Sequence, residues 1–575
     1  MKKERVKIRK TFGVLSLVLV LGAAAVGGMI GYFFQQRVLS RSSVARTAPI
    51  SLGHNKYGDY LVGYLAGQNR DYDQMADSFE RALQADPENE KLKTTVYLIK
   101  AVRGEWEAAV PLALELSRLK KPELLTDYVL IAQSVKDGQY PSALQILKHK
   151  PLYGADRILS PVLRLWLNAG AGDKKQALAA LTDIKKVAGP GLYQYYRALA
   201  HWYFGDETKA DEAFQDLSAY LNESCPSLSL IVYMRAFYEP KGLWQPGFMP
   251  YDRVQKLLSQ SPSVREVIRH IPVEIKPTPA GGVAIAFYDI SVMLAPYTSE
   301  ETALIFNALA TKLDPNAQIP QIWSAELMEK SGNHLAANRI YDQMAETNDI
   351  ILLKKIMNLI AVQDDAGAEP MIKDLLSRNL DDGHLWLLYG HTLVGLDRQA
   401  EAVGPLKEAV RLFKQRGLKD DAGQALLSLG AVYDQLKQEE NAEKALLEAI
   451  GQMPNNPQAL NYLGYLWLES GKNIDQAFDL VKQAAELSPD EPNIMDSLAL
   501  GYYLKQDYQK ALDLAEKATN LLSFSSVAHT HLGDIYQALG REREAGYQYQ
   551  KALDLSADLT PELAEKLKQK LSLTR

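Results

Sequence analysis

The sequence predicts an all-α helical-repeat superhelix, a solenoid, with an N-terminal transmembrane helix in front of it. Three observations carry that prediction. Small residues return at near-constant spacing through the last third, where Gly390, Gly430, Gly464, Ala499 and Gly533 stand 40, 34, 35 and 34 residues apart. Two further sets keep step with them: Ala402, Ala442, Ala477, Ala511 and Ala545 follow at twelve or thirteen residues, and Ala409, Ala449, Ala484, Ala518 and Ala552 at nineteen or twenty. At the other end, Thr11 to Phe34 runs for 24 residues without a charge.

Small residues at positions 8, 20 and 27 of a 34-residue unit, with a proline near 32 (Pro454, Pro489), resemble the tetratricopeptide repeat. The resemblance implies two antiparallel helices per unit, A and B. Small side chains let A lie close on B, while Tyr433, Leu446, Tyr502, Tyr536 and Tyr549 fill the space between units. A chain of 575 residues usually makes several globular domains, but an array of repeats grows in one dimension instead.

Taken in order, residues 1–10 (MKKERVKIRK) hold six basic residues and one acid and read as a cytoplasmic tail. Residues 11–34 form a transmembrane anchor or uncleaved signal, since about 20 apolar residues cross a bilayer core. The basic end stays in the cytoplasm, which places the repeats in the periplasm of a bacterial inner-membrane, single-pass protein. The rival is a cleaved signal peptide, with Leu15–Leu21 as its core and Ala23-Ala24-Ala25 as the cut, releasing the chain to the periplasm. The apolar run continues to Phe34, which favours retention. Residues 35–55 read as a linker.

Residues 56–238 carry an N-terminal array, in which Gly63, Phe79, Ala82 and Pro87 fit the unit and Ala198 pairs with Ala210. Residues 239–280 hold Pro240, Pro246, Pro250, Pro262, Pro272, Pro277 and Pro279. Proline removes a donor and stops helices, so this is an irregular connection that lets two arcs set their relative angle. The period returns over 281–555, where Ser291 stands with Ala303 and Ala325 with Ala337. Residues 556–575 form a capping helix from Thr560-Pro561-Glu562, with Leu563, Leu567 and Leu571 on one face.

The composition points away from catalysis. A net charge of −6 gives no basic nucleic-acid surface, and the single cysteine, Cys225, excludes an internal disulfide or a cysteine-cluster metal site. There is no HExxH, no phosphate loop and no GxSxG elbow. His529 and His531 form the closest pair of histidines, but i and i+2 on a helix point to different sides. No enzyme activity, cofactor, metal or small-molecule substrate is expected.

The function is then a surface. The resemblance implies that helix A lines a concave groove. Its rule of groove-facing positions selects His391, Asp434, Asn461, Tyr465, Asp496, Tyr503, Asp534 and Gln537 as candidates for holding a protein or peptide partner. Repeats that grip a peptide carboxylate use groove lysines, whereas here the matching positions hold Asp496 and Thr530. The runs Leu460–Tyr503 and Ile285–Pro315 are similar to segments of large envelope tetratricopeptide scaffolds of Gram-negative bacteria. That similarity implies an envelope scaffold or adaptor for a periplasmic protease or cell-wall hydrolase. The alternative is an assembly or maturation factor for a membrane complex, in secretion, polysaccharide export or cytochrome biogenesis.

Overall fold

Short polar side chains set where the helices start. Asn89, Asp173, Asp206, Asn333, Asp364 and Asp507 each accept a hydrogen bond from a backbone N–H in the first turn that no helical carbonyl reaches. In most units the chain turns from helix A to helix B through a left-handed residue. This is glycine at Gly104 (φ +74°) and Gly172 (φ +81°), yet Lys437 (φ +60°) and Gln506 (φ +64°) adopt it with a Cβ in place.

The computed structural model describes residues 56–573, apart from 69–71, 119–124, 149–154, 222–227, 259–267, 270, 272, 298–299, 316, 345–348 and 556–560. The expected tail, membrane segment and linker at 1–55 lie outside the described residues, as do Cys225 and Thr560. No described helix is long and apolar enough to cross a membrane. Every regular element among the described residues is helical, and the chain divides into two compact units between Val362 and Gln363.

Unit 1 opens with five A/B pairs: α1 (Lys56–Gln68) and α2 (Tyr72–Ala85), α3 (Glu90–Val102) and α4 (Trp106–Leu116), α5 (Thr126–Lys136) and α6 (Tyr140–Lys148), α7 (Asp156–Gly170) and α8 (Lys174–Val187), α9 (Pro190–Tyr203) and α10 (Glu207–Ser218). Ala82, Ala198 and Ala210 are fully buried, and a Cβ on Gly63 would stand 3.1 Å from the Phe79 ring. Helix α11 (Ser229–Tyr238) follows, and then α12 (Met249–Leu258), which packs back on α10. The Arg235 guanidinium ties the next stretch down by donating to the Ile268 carbonyl at 2.5 Å.

The proline-rich stretch is therefore not where the chain divides. Beyond it, α13 (Pro279–Leu294) and α14 (Glu300–Leu313) do not begin a second array but return into the first. Helix α13 packs on α7 and α5, and α14 packs on α3 and α5, so the pair touches three successive A helices. The reason is in the composition of α13: the ten residues from Gly282 to Ser291, all buried, include a single charge, Asp289. A helix so nearly apolar all round has no face to give to water and must be surrounded.

Each contact of the hairpin has a specific basis. A Cβ on Gly282 would stand 2.0 Å from the Trp166 ring, so only glycine lets α13 lie on α7. Phe287 meets Tyr128 edge-on with centroids 5.9 Å apart, and Phe306 of α14 meets the same tyrosine at 5.4 Å. The buried Asp289 carboxylate accepts from the Tyr196 hydroxyl at 2.6 Å and the Ser229 hydroxyl at 3.3 Å. The Lys312 ammonium lies 4.6 Å from the centroid of the Trp106 ring, where burial pushes it down to about 8.

Unit 1 ends in α15 (Gln318–Lys330), α16 (His334–Asp342) and α17 (Asp349–Ala361), in which Ala325 and Ala337 are fully buried. A polar cluster joins these three helices. The Lys354 ammonium stands 3.1 Å from both Glu326 and Glu329, while Tyr341 and Asn358 donate to Glu329 at 2.9 and 3.1 Å. Burial works to lower the Lys354 ammonium, but the two carboxylates outweigh it and hold it above its ordinary range. One ammonium cannot serve both acids equally, and burial pushes the deeper one, Glu326, up to about 7.

Between its ordinary value of 4.5 and about 7, folded Glu326 keeps a proton that the unfolded chain has released, so stability falls as pH rises across that window. Glu326→Gln is expected to be more stable than wild type at pH 8, by about 1–3 kcal/mol, and to lose that advantage near pH 5. Thermal denaturation at the two pH values checks this, and an equal difference at both would contradict it.

Unit 2 begins with α18 (Asp365–Arg378) and continues as α19 (Gly383–Gly395) and α20 (Gln399–Gln415), α21 (Lys419–Gln435) and α22 (Glu439–Gln452), α23 (Pro457–Glu469) and α24 (Ile474–Leu487), α25 (Pro492–Leu504) and α26 (Tyr508–Leu521), α27 (Ser526–Ala538) and α28 (Glu542–Asp554). Ala402, Ala409, Ala442, Ala449, Ala477, Ala484, Ala499, Ala511, Ala518, Ala545 and Ala552 are all fully buried. A Cβ on Gly390 would stand 2.6 Å from Leu406, on Gly430 2.8 Å from Leu446, on Gly464 3.0 Å from the Ala477 carbonyl, and on Gly533 2.5 Å from Tyr549. Helix α29 (Pro561–Leu573) closes the stack, with Leu567 fully buried in the last core.

Candidate partner-binding groove

The inner side of unit 2 is made by helices A. Successive A helices touch, α23 on α25 and α25 on α27. His531 of α27 also reaches Glu469 of α23, two units back, at 3.5 Å. Only the inner rail of a curved stack brings side chains two units apart together.

Along that rail the eight residues selected from the sequence fall into three settings. His391 and Asp496 are buried, and they hold helices together rather than offer themselves to a partner. His391 Nε2 lies 2.9 Å from the Ser428 hydroxyl of the next A helix. Asp496 Oδ2 lies 2.9 Å from His531 Nδ1. Position in the repeat fixes which way a side chain points, but the tightness of the curve decides how deeply it is covered.

Asp434, Asp534, Gln537 and Tyr465 are half-buried and engaged with neighbours. Asp434 accepts from the Tyr462 hydroxyl at 3.1 Å, and the Tyr549 hydroxyl lies 2.7 Å from Asp534 and 2.8 Å from Gln537. Tyr465 stands 6.3 Å from the His531 ring, and burial beside Glu469 and Asp496 holds its phenol far above the usual range. Tyr503 and Asn461 are also half-buried, and the Tyr503 ring lies 5.9 Å from that of Tyr508 at the start of α26. Asn461 Oδ1 is covered and has no hydrogen-bond partner among the described residues.

Three residues outside the sequence-selected set organise this face. His531 is clamped between Asp496 and Glu469. Burial works against its charge, but the two carboxylates outweigh it and raise the imidazolium up to about 10. Glu469 is correspondingly held below the usual carboxylate range by its bond to His531. Lys570 comes from α29 and sets its ammonium 2.6 Å from Asp534 Oδ2. A signal exists in the sequence for the first pair: Asp496 and His531 are opposite charges 35 residues apart, about one repeat. His529, two residues away, turns to the other side and lies 2.7 Å from Gln548.

Unit 1 differs in that the inner faces of α3, α5 and α7 are already covered by α13 and α14. The candidate groove is accordingly the inner face of unit 2.

Comparison with known proteins bears on the repeats. The tetratricopeptide repeat model matches residues 60–89, 423–456 and 527–559. No curated protein sequence matches the chain. Among solved structures, a chain of the APC/C hetero-tetramer Cut9–Hcn1 is 16% identical, with 91% of this chain and 96% of that one covered and a TM-score of 0.37. A tetratricopeptide repeat protein from Parabacteroides merdae is also 16% identical, over 44% of this chain and 97% of that one, with a TM-score of 0.35. YrrB, described as a TPR protein with an unusual peptide-binding site, is 17% identical over 34% of this chain and 97% of its own, with a TM-score of 0.27. The chain therefore contains tetratricopeptide repeats at the matched residues, and helix pairs built around small buried residues run on through both units.

Proposed function

We propose that this protein is a non-catalytic scaffold that docks a partner protein or peptide on the inner face of unit 2. The observation that carries the reading is the contrast between the two inner faces. Helices α13 and α14 pack on α3, α5 and α7 of unit 1, while the rail of unit 2 keeps Asp434, Asn461, Tyr503 and Gln537 along its length. Aromatic, amide and acidic groups in a row suit an extended segment or a helix laid in a groove.

The cellular setting is part of the same proposal. The uncharged run 11–34 after a basic tail supports a single-pass inner-membrane anchor with the repeats in the periplasm. In that setting the scaffold serves as an adaptor for a periplasmic protease or cell-wall hydrolase. The test is affinity purification of tagged full-length chain from detergent-solubilised membranes, beside the same chain carrying Tyr503→Ala and Gln537→Ala. A protease or hydrolase recovered with the intact chain and lost with the variant is the expected result. The same partners recovered with both chains would overturn the groove reading. A multi-subunit membrane complex as partner would replace the adaptor role with an assembly role. Recovery of the chain in the soluble fraction would overturn the anchor.

A further inference from the structure

We propose that the groove of unit 2 selects a segment rich in lysine or arginine from its partner protein. This rests on reading that face as a docking surface and names the chemistry it recognises. The first observation is a charge asymmetry. The A helices of unit 2, α19, α21, α23, α25 and α27, carry Asp420, Asp421, Asp434, Glu469, Asp496 and Asp534 against two cations, Lys419 and the His531 imidazolium, and no arginine. Their B helices mix both signs, as in Glu401, Lys407, Glu408, Arg411 and Lys414 of α20. The A helices are thus net acidic where the B helices are mixed.

The second observation is independent of the first and shows what this rail accepts. At its C-terminal end the chain supplies a cation of its own. Lys570 of α29 places its ammonium 2.6 Å from Asp534 Oδ2, the Tyr549 hydroxyl donates to the same carboxylate at 2.7 Å, and the Tyr549 ring centroid lies 5.6 Å from the ammonium. A carboxylate backed by a tyrosine is a seat for an ammonium or guanidinium group. Asp434 with Tyr462 repeats that pairing three units earlier.

Third, an acceptor is left over between these two seats: Asn461 Oδ1 on α23 has no hydrogen-bond partner among the described residues. A cationic side chain reaching into the rail brings the donor that this oxygen lacks. The terminal helix thus occupies the last seat, and a partner segment takes the rest of the row.

The experiment measures fluorescence anisotropy of two labelled twelve-residue peptides with the full-length chain in detergent. One alternates lysine with alanine and serine, and the other has glutamate in place of every lysine. The lysine peptide is expected to bind and the glutamate peptide not to, with binding weakened about tenfold or more between 50 and 300 mM salt. Asp434→Lys is expected to weaken binding by about tenfold, while Lys570→Gln, which vacates Asp534, is expected to strengthen it a few-fold. Because the two variants move affinity in opposite directions, loss of fold cannot mimic the result, and circular dichroism of each checks helicity.

Equal binding of both peptides, or of neither, would overturn the proposal. So would lysine-peptide binding that Asp434→Lys leaves unchanged. If the peptide fails while a partner is still lost on Tyr503→Ala and Gln537→Ala, the charge preference is wrong and the groove reading stands. If neither depends on the rail, both fall.

Discussion

Replacing His531 with alanine is expected to destabilise unit 2 by about 3–5 kcal/mol, because removing one member of a buried ion pair leaves the other charged and covered. Asp496 is the residue left behind: its carboxylate is 6% exposed and its only bonded oxygen faces His531 at 2.9 Å. Glu469 adds less, since it is half exposed and screened. Combining Asp496→Asn with His531→Gln is expected to recover much of the loss, because a neutral pair of similar size has no charge to bury.

The same site sets a pH dependence with a definite sign. Folded His531 is raised from 6.5 to about 10. Its contribution is fully present below 6.5 and is lost as pH rises from there through about 10, where the folded chain still holds a proton that the unfolded chain lacks. Wild type should therefore lose more stability than His531→Gln between pH 7 and 10. Urea unfolding, with hydrogen exchange on α25 and α27 to assign the transition to unit 2, measures both effects. A loss under about 1 kcal/mol for His531→Ala would show that the clamp is not structural.

The second large effect belongs to unit 1. Phe287→Ala is expected to cost about 3–5 kcal/mol, the range for deleting a fully buried aromatic ring. Phe287 is completely covered, and the cavity would open between Tyr128, Phe306 and the backbone of α13. Those neighbours are anchored: Tyr128 donates to Asp156, and Gly282 is wedged against Trp166. The site has little freedom to collapse. The check is thermal denaturation with limited proteolysis, where earlier cutting within α13 is expected as the hairpin loosens. A variant as stable and as resistant as wild type would mean that the hairpin contributes little to unit 1.

How much of the fold is legible in the sequence depends on what each signal measures. Small residues at fixed register mark places where two backbones approach, so Gly533 under Tyr549 and Gly430 under Leu446 can be read from spacing alone. The same signal misleads at Ser291 and Ala303. Their spacing of twelve matches the repeat, and the Ser291 hydroxyl does bond the Ala303 carbonyl at 2.6 Å. Yet any antiparallel helix pair needs a small residue where it crosses, so the spacing cannot separate a hairpin laid in a groove from another unit of the array. The better clue is the run Val283 to Ser291, in which Asp289 is the single charge.

The groove is legible in direction but not in depth. The repeat rule selects Asp496 by its place in helix A, but it cannot say that curvature brings α27 within reach of α23 and buries the residue. Lys570 escapes the rule for a related reason. Its place in a capping helix suggests a solvent-facing lysine, whereas the cap takes the place of the next helix A and inherits its inward side.

The most direct test of groove docking is site-specific photo-crosslinking in cells that express the full-length chain. A photoreactive amino acid is placed either at Tyr503, on the inner rail of unit 2, or at Tyr547, which is 65% exposed on α28. The expected result is a discrete adduct with a partner protein from position 503 and none from 547. Adducts from 547 with none from 503 would contradict groove docking, because the partner would then be held by helices B.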